Sequence, residues 1–230
     1  INGKPVIGIG ASAFEAGGNT KAFTGEITLP KYLQYIGDFA FSSNEAITKI
    51  HFNDSLISIG KSAFYKMSGL NGSLTIPDSV ETIGALAFAN TTGLEAFTFS
   101  NNVEMISRSV LDGATNLKKV TLGNNVVAIG SKAFSDCVNL QTITIPSTTT
   151  HIYSDAFKNT ENLKTIEIES KNVESMDFLN TNAEIYLYGN SQTGVYAKNN
   201  SIPFIDLNGL TGKITLNEKN LKVDFGAEPV

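Results

Sequence analysis

The chain has 230 residues, 41% of them hydrophobic and 17% charged, with a net charge of −5. This is the composition of a folding globular chain and excludes a disordered one. The acidic balance and lack of any basic cluster speak against nucleic acid, and apolar runs of a few residues leave nothing to insert into a membrane. The single cysteine, Cys137, cannot form an internal disulfide.

In chain order, a hexamer of the form I-G-x-x-A-F recurs. "IGASAF" starts at Ile9, "IGDFAF" at Ile36, "IGKSAF" at Ile59 and "IGALAF" at Ile83, with later copies at Ile106, Ile129 and Ile152. The spacings are 27, 23, 24, 23, 23 and 23 residues. A fixed period of this size marks a solenoid. The two long spacings carry insertions at one landmark, "AFTGEITLP" near residue 23 and "GLNGSLTIP" near residue 70, so they are loop insertions at one place on the coil.

Each unit reads alike. An apolar residue stands six positions after the Phe, as at Leu70, Leu117 and Leu140. An alternating segment such as "LKKVTL" or "LQTITI" then reads as a half-buried strand. A turn such as "IPDS" or "LGNN" follows, and V-x-x-I leads back to the hexamer. In the hexamer the Ile points inward, and the Gly either takes a positive φ or lets backbone pass where a Cβ would collide. The Ala is small so that it packs on the next coil, and the Phe fills the core. Ala63, Met67 and Leu70 at i, i+4 and i+7 predict one or two helical turns. Stacked units predict a column of Phe14, Phe41, Phe64, Phe88, Phe134 and Phe157, because no unit buries its apolar face alone. The fifth copy departs: "ISRSVL" puts Ser107 for Gly, Val110 for Ala and Leu111 for Phe. A larger Val beside a smaller Leu roughly conserves volume, so it reads as a repacked rung.

The pattern L-x-x-I-x-I-P-x-x-V-x-x-I-G-x-x-A-F-x-x-C-x-x-L resembles the leucine-rich repeats of the Bacteroides surface protein A (BspA) type. Residues 120–163 carry it best, Cys137 falls where that family often has cysteine, and the match covers roughly residues 6–178. "IYLYGNSQTGVYAKNNSIPFIDL" looks like the family's closing strand, short helix and strand. The expected fold is an α/β repeat solenoid, a right-handed leucine-rich-repeat coil of about seven repeats of ~23 residues with a C-terminal cap. Residues 1–182 are assigned to the solenoid and 183–210 to the cap. Residues 211–230 are a tail, either a hairpin of "KITL" turning at "NEKN" or the start of a further domain. The resemblance implies a secreted or surface-anchored protein of a host-associated bacterium, linked to adhesion. Its partners would be proteins or glycans, host matrix proteins among them. Starting at Ile1 without a methionine, the chain reads as a mature or trimmed fragment with its signal segment outside it.

The outward strand positions line up between coils. One column is Thr28, His51, Thr75, Thr98, Thr121, Thr144 and Glu167; its neighbour includes Glu26, Lys49, Lys119, Thr142 and Thr165. At a coil spacing of ~4.8 Å this predicts a polar ladder about 30 Å long. It is either a binding face of the kind solenoids use or solvated strand positions that suit threonine. Nothing else assembles a catalytic constellation. Glu167 and Glu169, about 6.6 Å apart along one strand face, lack a cleft and a partner motif. His51 and His151 lie four coils apart, about 19 Å, too far to share a metal. Cys137 reads as a buried inert thiol, and "GIGASA" at Gly8–Ala13 is the repeat itself and no nucleotide fingerprint. The expectation is a non-enzymatic cell-surface binding module with no cofactor or metal, working through the strand face. The alternative is a spacer that holds another domain off the surface.

Overall fold

The computed structural model describes residues 3–17, 23–176 and 181–209, and the backbone of 215–217 and 220–222. Eight short strands, from Gly8–Ile9 to Ser175–Met176, follow one another at the repeat period. Longer front strands alternate with them, from Gly25–Thr28 to Glu184–Leu187. Each of these pairs in parallel with at least one counterpart one coil away. The stack therefore holds eight coils, counted by their short strands, against about seven expected. The eighth escapes the hexamer search because Met176 takes the Ile place, opposite Ile152, while Val173 keeps the V-x-x-I spacing.

The expectation of helical turns after each Phe is corrected. The segment from hexamer to front strand is a pair of successive turns, and the α-helix among the described residues is Gln192–Asn199, beyond the coils. The solenoid is thus mostly strand and turn. In the second to seventh units the third and seventh residues after the Ile have left-handed backbone, as at Ser62 and Lys66 (φ 53° and 57°), Leu86 and Asn90 (61° and 59°), and Lys132 and Asp136 (58° and 58°). Such a conformation costs a non-glycine residue roughly 1–2 kcal/mol. Bonds between coils offset it: Ser62, Phe64 and Lys66 donate their N–H groups to the carbonyls of Ala85, Ala87 and Ala89 at 2.8–2.9 Å. The turns are a third ladder, stitched like the strands. Ala63, Met67 and Leu70 are all buried, as the spacing predicts.

From the second coil on, the hexamer glycine is there for close approach and has no positive φ. A Cβ on Gly84 would lie 2.4 Å from the Lys61 nitrogen, and one on Gly130 2.7 Å from the Ile106 carbonyl oxygen. Two positive-φ glycines, Gly25 (78°) and Gly72 (70°), stand at the two insertions, where the extra residue forms a bulge against the following strand.

The phenylalanine column forms. Phe14, Phe41, Phe64 and Phe88 stack with centroids 5.2, 5.5 and 5.1 Å apart, and Phe134 stacks on Phe157 at 5.5 Å. Leu111 interrupts it, and two front-strand rings bridge the gap. Phe88 meets Phe97 at 5.0 Å, Phe97 meets Phe99 at 4.6 Å, and Phe99 meets Phe134 at 6.4 Å. The fifth rung is repacked, with Val110 and Leu111 fully buried.

At the far end, Glu184–Leu187 pairs on Thr165–Ile168, and Ile205–Asp206 pairs on Glu184–Leu187. Between them helix Gln192–Asn199 is capped by Ser191, whose Oγ accepts the Gly194 N–H. Buried Thr193 docks it on the eighth coil, donating its hydroxyl to the Ser170 carbonyl and accepting the Val173 N–H. Thr215–Asn217 pairs antiparallel with Asn220–Lys222.

Candidate front-face site

Alternation puts Ile27, Ile50, Leu74, Phe97, Val120, Ile143 and Ile166 inward, which leaves the residues on either side of each facing out. Thr28, His51, Thr75, Thr121, Thr144, Lys49 and Lys119 are exposed; Thr98 and Glu167 are half-buried. Pairing places Thr28 opposite His51, Thr75 opposite Thr98, Thr98 opposite Thr121, and Thr144 opposite Glu167. Lys119 stands between Ala96 and Thr142.

The column is not continuous. Gly25–Thr28 and Ile47–His51 form a two-stranded sheet of their own, and the seven-stranded sheet begins at Gly72–Thr75. The inserted residue is the reason. Asn71 still donates its N–H to the Thr48 carbonyl at 3.2 Å, but Gly72 then turns through positive φ and carries Ser73–Thr75 off the register of the preceding strand. Thr28, His51 and Lys49 are therefore a separate patch. Glu26 ties it together, contacting His51 Nε2 at 2.8 Å and Lys49 Nζ at 3.9 Å. The His51 hydrogen bond and then the Lys49 charge hold the Glu26 carboxyl below its ordinary range.

The longer part presents two shallow depressions that share Thr121 and Asn124. One of 280 Å³ is lined by Lys119, Thr142, Thr144 and Glu169, the other of 420 Å³ by Thr75, Asp78, Thr98 and Asn101. The rim at Asp78, Asn101 and Asn124 was not singled out by sequence, although the three stand at the repeat spacing. Asp78 Oδ1 accepts the Asn101 N–H at 2.8 Å, and Asn101 Oδ1 accepts the Asn124 N–H at 3.2 Å. These bonds satisfy backbone donors at each corner, and the Asn101 N–H, followed by the Asn101 side-chain amide, holds the Asp78 carboxyl below its usual value. Glu167 goes the other way: partial burial, and then the neighbouring Glu169, push its carboxyl up.

Elsewhere the chemistry is sparse. Burial pushes the Cys137 thiol far up, away from a nucleophile's range. His151 Nδ1 lies 2.8 Å from Thr150 Oγ1, and its Nε2 lies 3.7 Å from Glu174. Among the described residues no three His, Cys, Asp or Glu side chains gather as a metal site would need, and no helix is long and apolar enough to cross a membrane.

Comparison with solved structures gives matching repeat proteins. A leucine-rich cell surface protein from Faecalibacterium prausnitzii A2-165 is 28% identical with a TM-score of 0.64, over 72% of this chain and 44% of that one. A leucine-rich-repeat protein from Eubacterium ventriosum is 30% identical with a TM-score of 0.59, over 64% of this chain and 39% of that one. The matched stretch is thus less than half of either relative. No curated protein sequence matches the chain. The family model for the BspA-type leucine-rich-repeat region matches in six copies, over residues 7–125 and 70–184. With the coils, the ladders and this match in agreement, the chain belongs to the BspA-type leucine-rich-repeat family.

Proposed function

We propose that the chain is a non-enzymatic binding module of a bacterial cell surface, engaging a protein or glycan partner through the front face. The observation that carries this reading is the in-register outward row Thr75, Thr98, Thr121 and Thr144, bordered by two depressions. A flat array of short hydroxyl side chains loses little side-chain entropy on contact and offers both donors and acceptors. The similarity to a protein described as a leucine-rich cell surface protein supports the location. In this reading residues 183–210 are the cap that closes the last coil.

The test is binding of the chain to host matrix proteins and to a glycan array, with the variant Thr98→Glu, Thr121→Glu, Thr144→Glu alongside. The expected result is a partner whose binding falls at least tenfold in the variant while the circular dichroism spectrum is unchanged. A partner bound equally by both proteins moves the site off this face. Binding by neither supports the spacer reading.

A further inference from the structure

On the short-strand side, the stack comes apart between Thr82–Ile83 and Met105–Ile106: the strands form two four-stranded sheets that end at this junction. In the second to fourth, sixth and seventh coils two backbone bonds join the coil to the one before. Glu81 and Val127 donate their N–H groups to Ile57 and Glu104 at 2.9 and 2.8 Å, and Gly84 and Gly130 donate theirs to Ile59 and Ile106 at 2.8 and 2.7 Å. At this junction, among the described residues, the Glu104 and Ser107 N–H groups make neither bond. Instead the Ser107 hydroxyl donates to the Ile83 carbonyl at 2.5 Å. A Cβ alone does not cause this, because Tyr153 occupies the same place in the seventh coil and keeps its N–H on the Ile129 carbonyl at 2.9 Å. The difference is a side-chain donor competing with the backbone for one acceptor.

The opened junction is a cleft of 660 Å³, lined by Glu81 and Glu104, by Asn102 and Asn125, and by Ile83 and Met105. Both carboxylates are exposed, and among the described residues neither has an ion pair. Met105 is 48% exposed, although methionine is a residue that interiors usually take. Two uncompensated negative charges beside a polarisable apolar surface complement one kind of group, a cation on an aliphatic stem. The unmatched Glu104 N–H adds a donor for a backbone carbonyl alongside.

We propose that this cleft binds a lysine or arginine side chain presented by a partner polypeptide, its stem on Met105 and its charge between Glu81 and Glu104. The site lies on the short-strand stack and does not depend on the front face. The chain has three methionines, and two of them, Met67 and Met176, are 0% and 2% exposed. Methyl-labelled methionine therefore reports the cleft directly, with Met105→Ala assigning the resonance. The protein is titrated with blocked pentapeptides that carry a central lysine, arginine or glutamate between glycines.

The expected result is a saturable shift of the Met105 methyl signal with the lysine or arginine peptide. The Met67 and Met176 signals stay in place, and affinity falls at least tenfold in the Glu81→Gln, Glu104→Gln protein. Which cationic peptide binds tighter identifies the side chain. A Met105 signal unmoved by both cationic peptides overturns the proposal. So does one that moves equally with the glutamate peptide, or equally in the double variant.

Discussion

Inside and outside are decided one side chain at a time. Phe134 is fully buried between Phe157 and Phe99, whereas Thr121 stands in solvent. Phe134→Ala is expected to cost about 3–5 kcal/mol and Thr121→Ala well under 1 kcal/mol, measured by thermal or denaturant melts. Glu167 makes a finer test. Burial and Glu169 raise its folded carboxyl above the ordinary value, so the folded state is penalised when Glu167 is ionised. That penalty is complete at neutral pH, fades as pH falls through the raised folded value, and is gone below the unfolded value. Glu167→Gln should therefore raise Tm at pH 7, with a gain that shrinks toward zero on acidification. A gain independent of pH would mean that packing, not charge, is the cause.

At the scale of elements, what a sequence shows depends on whether a residue type carries the signal. The hexamer and the alternating strands were legible because Ile, Ala and Phe each answer to burial. The turns were misread as helix because burial at Ala63, Met67 and Leu70 is also what two four-residue turns produce. Their left-handed positions hold Asn90 and Asp136, which suit that conformation, but equally Ser62, Lys66, Leu86 and Lys132, which no propensity marks. The break in the front column had a visible cause in the Asn71–Gly72 insertion, but its effect on register needs the partner strand. The cleft had one visible sign, Ser107 in place of glycine, whose meaning lies in the carbonyl it reaches. Removing that hydroxyl tests the account. Ser107→Ala should slow hydrogen exchange at the backbone amides of residues 104 and 107 toward the rates at Val127 and Gly130. Unchanged fast exchange would place the cause elsewhere.

Over the whole molecule, coils touch only their neighbours, so stability is close to a sum of coils and junctions. Three ladders and the aromatic column join most coils, and the junction between the fourth and fifth has lost part of one ladder. The aromatic column changes there as well. In a stack of near-identical units, a chain displaced by one repeat could satisfy almost every backbone bond, an error of reading frame. Leu111 makes that error costly. A displaced chain would press Phe97 and Phe99 against a rung that already carries a phenylalanine and would leave a void beside Leu111. The shorter side chain works as a registration mark, telling the folding chain which rung it has reached. Leu111→Phe erases the mark, and it should lower the yield of native protein on refolding by more than its effect on equilibrium stability accounts for. Equal losses in yield and stability would show that the rungs are interchangeable after all.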